Sequence, residues 1–141
     1  MRLNRVLIIL LFTALAFTGQ ASTLQIPTIK FDYHKASIKP EEIQTLDKLV
    51  QIMNEYPTMQ IEVTGHCDCR EHSKRLSLRR AKAVIAYAIA KGIARQRMQP
   101  LAYGATLPLN DCDCKANTDC APQLLAANRR VEIRVMKVEI I

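Results

Sequence analysis

Two charged side chains near the middle of the chain have the chemistry needed to bind ionic groups of opposite sign. Asp68 follows an alternating apolar segment, and Arg80 lies in the first turns of a predicted helix. The planar guanidinium of arginine can hold a carboxylate through two parallel hydrogen bonds, and the start of a helix adds to the attraction for an anion. The carboxylate of Asp68 would accept hydrogen bonds from an ammonium group. Two such contacts contribute about 1.5–3 kcal/mol each, which corresponds to a Kd between millimolar and tens of micromolar.

Both side chains also have ordinary structural explanations, which the residues alone leave open. Asp68 stands at the start of a loop, where an aspartate can cap a turn or the following helix. Arg80 follows Arg79, and paired arginines usually lie on a solvated helix face.

Five cysteines lie between positions 67 and 120. In an exported chain they are expected to form disulfides, and the candidates are Cys67, Cys69, Cys112, Cys114 and Cys120. The last three share one loop, so a bridge from Cys120 to either of the others would pin that loop. Because the number is odd, two bridges leave one thiol over, and the sequence does not choose the connectivity.

A metal site is the rival explanation for the first two cysteines, which lie between His66 and His72. Zinc ligands more often come in pairs two to four residues apart, so the spacing is a poor match. We therefore predict no metal and no cofactor. The alternative function is a periplasmic metal- or redox-handling protein that uses residues 67–72 and the cysteines of the later loop. No nucleophile motif or glycine-rich phosphate loop is present, so catalysis is not expected.

Residues 1–21 have the three parts of a secretory signal. Arg2 and Arg5 give a positive start, residues 6–17 form an apolar core, and small residues occupy positions 19 and 21. The apolar core is short of the roughly 20 residues of a spanning helix, although an uncleaved inner-membrane tether is the alternative. We predict cleavage after Ala21, a mature domain of residues 22–141, and a location in the periplasm associated with the cell wall or outer membrane.

The charge balance indicates an anionic partner. The net charge is +7, and it becomes +5 without the leader, which carries two arginines and no acid. Aromatic residues make up only 5% of the chain and Trp is absent, which argues against stacking on nucleic acid. An anionic polymer outside the cytoplasm is the better fit.

The apolar periodicity predicts the elements that must position these residues. Alternating segments indicate four strands and i, i+3, i+4 spacing indicates two helices; the strands lie at residues 28–33, 59–65, 101–103 and 131–135, and the helices at residues 40–56 and from about 75 to 91. The order β-α-β-α-β-β predicts one α+β domain with a four-stranded mixed sheet and helices packed on one face.

Four short segments match, in order, the motifs of one known family. They are Phe31-Asp32 followed by Ile38-Lys39-Pro40, Gly65-His66-Cys67-Asp68, Leu76-Ser77-Leu78-Arg79-Arg80-Ala81, and Asn128-Arg129-Arg130-Val131-Glu132-Ile133. The chain therefore resembles, over residues 28–137, the OmpA-like C-terminal domain, the peptidoglycan-binding module also found in Pal and MotB.

The resemblance implies a non-catalytic domain that binds peptidoglycan, with an outer-membrane or other envelope protein as a further partner. It implies that Asp68 and Arg80 clamp meso-diaminopimelate of the stem peptide. By the same resemblance the groove is lined by Asp32, Phe31, Leu76 and Arg129. For Arg129, protection of an edge strand remains the alternative. Some members carry a bridge in the late loop, which supports pairing there.

Two departures from the family pattern lie beside this groove. Cys67 stands where the family usually has Thr. Residues 69–75 form a shorter, strongly charged loop, in which Ser73 replaces an Asn. We expect these departures to change ligand preference or affinity.

Overall fold

A four-stranded mixed sheet organises the structure, a computed structural model that describes residues 24–112, 114–116 and 119–139. The predicted leader lies outside the described residues. None of the helices described in those ranges has the length and apolar character needed to cross a membrane.

The strands follow the order β1-β4-β2-β3 across the sheet. Their bounds are Ile29–Lys30 for β1, Gln60–Gly65 for β2, Met98–Ala102 for β3 and Arg130–Lys137 for β4. β4 runs antiparallel to both β1 and β2, whereas β2 and β3 are parallel. The parallel pair requires a crossover, which a helix provides.

Three helices are described: α1 at Ile43–Glu55, α2 at Lys74–Ala90 and α3 at Pro122–Asn128. A 3-10 turn over Pro40–Glu42 leads into α1, which ends before Pro57. The α2 helix begins at a cap, where the Ser73 hydroxyl accepts a hydrogen bond from the Leu76 N–H at 3.0 Å. After α2, Gly92 adopts φ 95°, the left-handed conformation that commonly ends a helix.

The apolar core lies between the sheet and the two long helices. It draws buried side chains from β1, β2, β4, α1 and α2, among them Ile29, Leu46, Leu49, Met53, Ile61, Val63, Val84, Ile85 and Val131. The other face of the sheet is polar, since Glu62 and Arg134 form an ion pair there at 3.0 Å. The predicted α+β class and the helices on one face are confirmed.

The predicted elements occur in the predicted order, but several of their bounds differ and one helix is additional. β1 keeps only Ile29–Lys30 because the chain turns after Asp32, where the Lys35 N–H bonds the Asp32 carbonyl at 3.1 Å. β3 begins earlier than predicted, at Met98, since Ile61 pairs with that residue. α3 was not predicted.

Candidate functional site

The end of β2 and the first turns of α2 approach each other unusually closely. A Cβ added to Gly65 would lie 1.8 Å from the carbonyl oxygen of Ser77, so only glycine permits this packing. The contact brings the loop that carries Asp68 alongside the helix turns that carry Arg80.

Arg80 is buried and all of its N–H groups are used inside the protein. Its two terminal nitrogens bind the carboxylate of Glu71 at 2.8 and 2.6 Å. They also donate to the carbonyl oxygens of His66 (2.9 Å) and Asp32 (3.0 Å), and Nε donates to that of Lys35 (2.8 Å). Arg80 therefore does not lie on a solvated helix face, the alternative that the sequence left open, because an internal carboxylate and three carbonyls enclose its guanidinium.

Glu71 has its carboxylate fully buried and accepts four hydrogen bonds. Besides the two from Arg80, Oε1 accepts from the His34 N–H at 2.7 Å and Oε2 from the Asp68 N–H at 3.1 Å. A buried ion pair is stable only when such additional bonds satisfy its atoms, and this one meets that condition. Glu71 was not among the predicted site residues.

Asp68 is also buried and paired with internal cations. Its carboxylate accepts from the backbone N–H of Arg70 (2.8 Å), from the Arg70 guanidinium (3.2 Å) and from Arg129 (3.0 Å). Burial acts to raise the pKa of Asp68, but the bonds from Arg70 and Arg129 outweigh it and hold this pKa below its usual value.

Arg129 joins the end of the sheet to this group of charges. Its Nε donates to the Phe31 carbonyl at 3.1 Å, while its own carbonyl accepts from the Phe31 N–H at 2.9 Å. We call the five side chains that pair here the charged cluster: Asp68, Arg70, Glu71, Arg80 and Arg129.

The other three predicted residues border the charged cluster. The Phe31 ring is buried, with its centroid 5.5 Å from the Arg80 guanidinium carbon. Leu76 is buried in the first turn of α2. Asp32 binds Arg80 through its carbonyl, whereas its carboxylate is half exposed and lies 3.5 Å from Lys39. The structure therefore brings all six predicted residues to one end of the sheet.

Tyr33 and Arg70 form the solvent-facing edge of the cluster. The Arg70 guanidinium lies 4.5 Å from the Tyr33 ring centroid, and both side chains are more than 40% exposed. Arg70 is thus the member of the cluster that solvent reaches most easily.

Four of the five candidate cysteines form two disulfides, Cys69–Cys114 and Cys112–Cys120. The first joins the loop after β2 to the late loop, and the second closes the late loop on itself. Cys67 is the unpaired thiol; it is buried and donates to the Ser73 carbonyl at 3.2 Å. Burial raises the pKa of Cys67 to about 11.

A cavity of about 380 Å³ lies between the two loops that the Cys69–Cys114 bridge connects. His72 and Lys74 line one side, and Tyr103 and Lys115 also contribute to its wall. No acidic side chain is among the described residues that line it, so its charge suits an anionic group.

The arrangement does not favour the metal- or redox-handling alternative. The part of the chain that the structure describes contains no group of three or more His, Cys, Asp or Glu side chains placed to hold a metal ion. His66 is buried and stacks on Tyr103, with ring centroids 5.8 Å apart. Burial, together with the charge of Arg130, lowers the pKa of His66 to about 4.

Comparisons with known proteins bear on the family and the fold of the chain. The sequence model of the OmpA family matches residues 30–119. Outer membrane porin F of Pseudomonas fluorescens is 33% identical over 110 residues, which is 76% of this chain and 32% of the porin. The peptidoglycan-associated lipoprotein of Rhizobium meliloti is 35% identical over 88 residues, 60% of this chain and 50% of the lipoprotein. This chain thus spans about a third to a half of the length of these relatives.

The fold is shared with a solved structure of similar size. The crystal structure of the peptidoglycan-associated lipoprotein from Burkholderia pseudomallei superposes with a TM-score of 0.68 and 21% identity, covering 77% of this chain and 89% of that one. At this identity the likeness establishes the fold.

Proposed function

Because the chain belongs to the OmpA family, we propose that it is a non-catalytic module that binds peptidoglycan in the cell envelope. On this proposal it works in the periplasm after loss of residues 1–21, with an outer-membrane or other envelope protein as a further partner. Relatives named for the outer membrane and for association with peptidoglycan support this location.

The observation that carries the proposal is the carboxylate bound to Arg80. Each oxygen of the Glu71 carboxylate accepts a hydrogen bond from one terminal nitrogen of Arg80, at 2.8 and 2.6 Å, so this guanidinium donates to a carboxylate in the bidentate geometry. Meso-diaminopimelate has a free carboxylate and a free ammonium on one side chain. Its carboxylate would bind Arg80 in the same geometry.

The ammonium group of the same residue would bind Asp68. In the structure the Asp68 carboxylate already accepts a bond from the side chain of Arg70, which is 44% exposed. An ammonium is a smaller cation that would take the place of this guanidinium while Arg129 keeps its bond to Asp68. An aspartate carboxylate is ionised at neutral pH, and the bond from Arg129, one cause of the lowered pKa of Asp68, would remain when an ammonium takes the place of Arg70.

The surroundings of the cluster suit an anionic polymer. The cavity beside it is lined by lysines and lacks acidic lining residues in the described part of the chain. Two charge-assisted contacts give only weak affinity for one stem peptide. A cell wall offers many such peptides at high local density, so weak contacts suffice to retain the protein there.

Sedimentation with purified sacculi tests the proposal. We expect the parent to sediment and Asp68→Asn, which keeps the shape but removes the charge, to lose most of this binding. Glu55→Gln is the matched control because Glu55 is exposed at the end of α1 and the change in net charge is the same. A parent that stays in the supernatant, or an Asp68→Asn variant that sediments equally, would contradict the proposal.

A further inference from the structure

The two counterions of the predicted clamp lie on neighbouring residues. Arg70 binds Asp68, and Glu71 binds Arg80. We infer that the Arg70-Glu71 pair is an internal zwitterion that competes with the stem-peptide zwitterion for the same two partners. This inference rests on the proposed function and adds how access to that site is controlled.

The geometry leaves no room for a ligand while this pair is in place. The side chains of Arg80 and Glu71 are both 0% exposed, and every N–H of Arg80 already has an acceptor. An incoming carboxylate therefore reaches Arg80 only after Glu71 leaves. Likewise, an ammonium reaches Asp68 only when Arg70 gives up its place.

A single movement would remove both counterions. They lie in one short turn, residues 69–72, between Asp68 and the helix cap Ser73. The last residue of this turn, His72, has a φ of 41°. Apart from Arg80, the Glu71 carboxylate accepts hydrogen bonds from the backbone N–H groups of His34 and Asp68, and the Cys67 thiol also interacts with it. Displacement of the 69–72 turn thus opens Asp68 and Arg80 together.

The Cys69–Cys114 disulfide holds this turn in place. Cys69 is the first residue of the turn, and its bridge ties the turn to the late loop. The second bridge, Cys112–Cys120, lies wholly within the late loop and makes no covalent link to the turn. The two disulfides therefore form a natural pair of test and control.

Occupation of the site by Arg70 and Glu71 weakens the apparent affinity of the protein for its ligand in a predictable way. When only a fraction of molecules has the site open, the apparent Kd equals the intrinsic Kd divided by that fraction. A turn that is open in about one molecule in ten weakens binding about ten-fold. Replacing the Glu71 carboxylate removes this competition, so the apparent affinity should rise by the same factor.

The experiment titrates a soluble muropeptide containing meso-diaminopimelate into the parent and its variants by calorimetry. We expect Glu71→Gln to bind about ten-fold more tightly than the parent, because a neutral amide competes poorly for Arg80. Glu55→Gln should match the parent. Adding Asp68→Asn to Glu71→Gln should abolish the gain, which would place the binding at this site.

A second pair of variants keeps the test valid if Glu71→Gln does not fold. Cys69→Ser/Cys114→Ser retains both counterions but frees the turn, and it should bind several-fold more tightly than Cys112→Ser/Cys120→Ser. Equal or weaker binding by Glu71→Gln and by the first double variant, with a parent that binds, would overturn the inference and leave the proposed function intact. No binding by the parent or by any variant would overturn the proposed function itself.

Discussion

The apolar core is buried, and so is the charged cluster apart from the exposed Arg70 side chain and the partly buried Arg129, yet the two are specified in different ways. The core is made of side chains that recur with helix or strand periodicity, such as Leu46 and Met53 on α1 and Ile61 and Val63 on β2. The charged cluster is made of residues from a loop, a helix and the junction before β4. The core depends on average hydrophobicity, whereas the cluster depends on each charge having one particular partner.

The largest effect that separates the two regions should come from Arg80→Ala. This substitution leaves the Glu71 carboxylate buried without its cation, so we expect it to lower the free energy of unfolding by about 3–5 kcal/mol. A conservative core change, Ile61→Val, should lower it by only about 0.5–1.5 kcal/mol. Urea unfolding followed by circular dichroism measures both.

The double variant Arg80→Met/Glu71→Leu sharpens this comparison. It removes both charges at once, so it should be more stable than Arg80→Ala even though it carries more substitutions. If the double variant is less stable than Arg80→Ala, the Arg80–Glu71 ion pair contributes net stability. The charged cluster and the apolar core would then not differ in this respect.

The disulfides should show the next largest effect on the free energy of unfolding, with the accompanying change in local dynamics confined to the cluster side of the molecule. Cys69–Cys114 spans 45 residues and Cys112–Cys120 spans 8. From loop-closure entropy, the free energy of unfolding should fall by about 4 kcal/mol when the first pair is changed to Ser and by about 2.5 kcal/mol when the second pair is changed. Hydrogen exchange should rise at the 69–72 turn in the first double variant, while amides of α1 keep their relative protection. Equal exchange at the turn in both double variants would argue against a tether.

The pH dependence of stability gives the most local comparison, since it depends on one buried side chain. His66 has a folded pKa of about 4, against about 6.5 when unfolded. Between these values the unfolded chain binds a proton that the folded protein does not, so stability falls as the pH falls from about 6.5 to 4, by up to about 3 kcal/mol. His66→Phe should flatten this part of a plot of Tm against pH.

The control for this measurement is His72→Asn, which removes an exposed imidazole. Phe is a suitable replacement at position 66 because neither ring nitrogen of His66 has a hydrogen-bond partner among the described residues. If His66→Phe and the parent show the same slope between pH 6.5 and 4, the buried imidazole is not the source of the acid sensitivity.

The fold could be predicted from the sequence because its main helices and strands bury apolar residues that recur at regular spacing. α1 and β2 repeat apolar residues at the spacing of a helix and a strand, and the structure places those residues in the core. α3 was missed since it has only seven residues and buries only Leu125 and Asn128, which is too short a pattern to reveal a period.

The site was predictable in its location but not in its pairing. The motif order placed Asp68, Arg80 and Arg129 at one end of the sheet, as the structure shows. The burial of Arg80 could not be predicted from the local sequence, because two of its acceptors are the backbone carbonyls of Asp32 and Lys35, more than forty positions earlier. Glu71 belongs to a run of charged and polar residues that, read locally, indicates a solvated loop. The shortened loop was the one sequence signal that pointed to it.

The unpaired Cys67 bears on how an odd number of cysteines can coexist with two fixed bridges. Thiol–disulfide exchange requires a thiolate that can reach a sulfur atom. The high pKa of Cys67 keeps it a neutral thiol, and its burial keeps it away from other sulfur atoms. Once folded, the protein therefore protects its own connectivity against scrambling, and refolding from the reduced chain is the stage at which mispaired isomers would form.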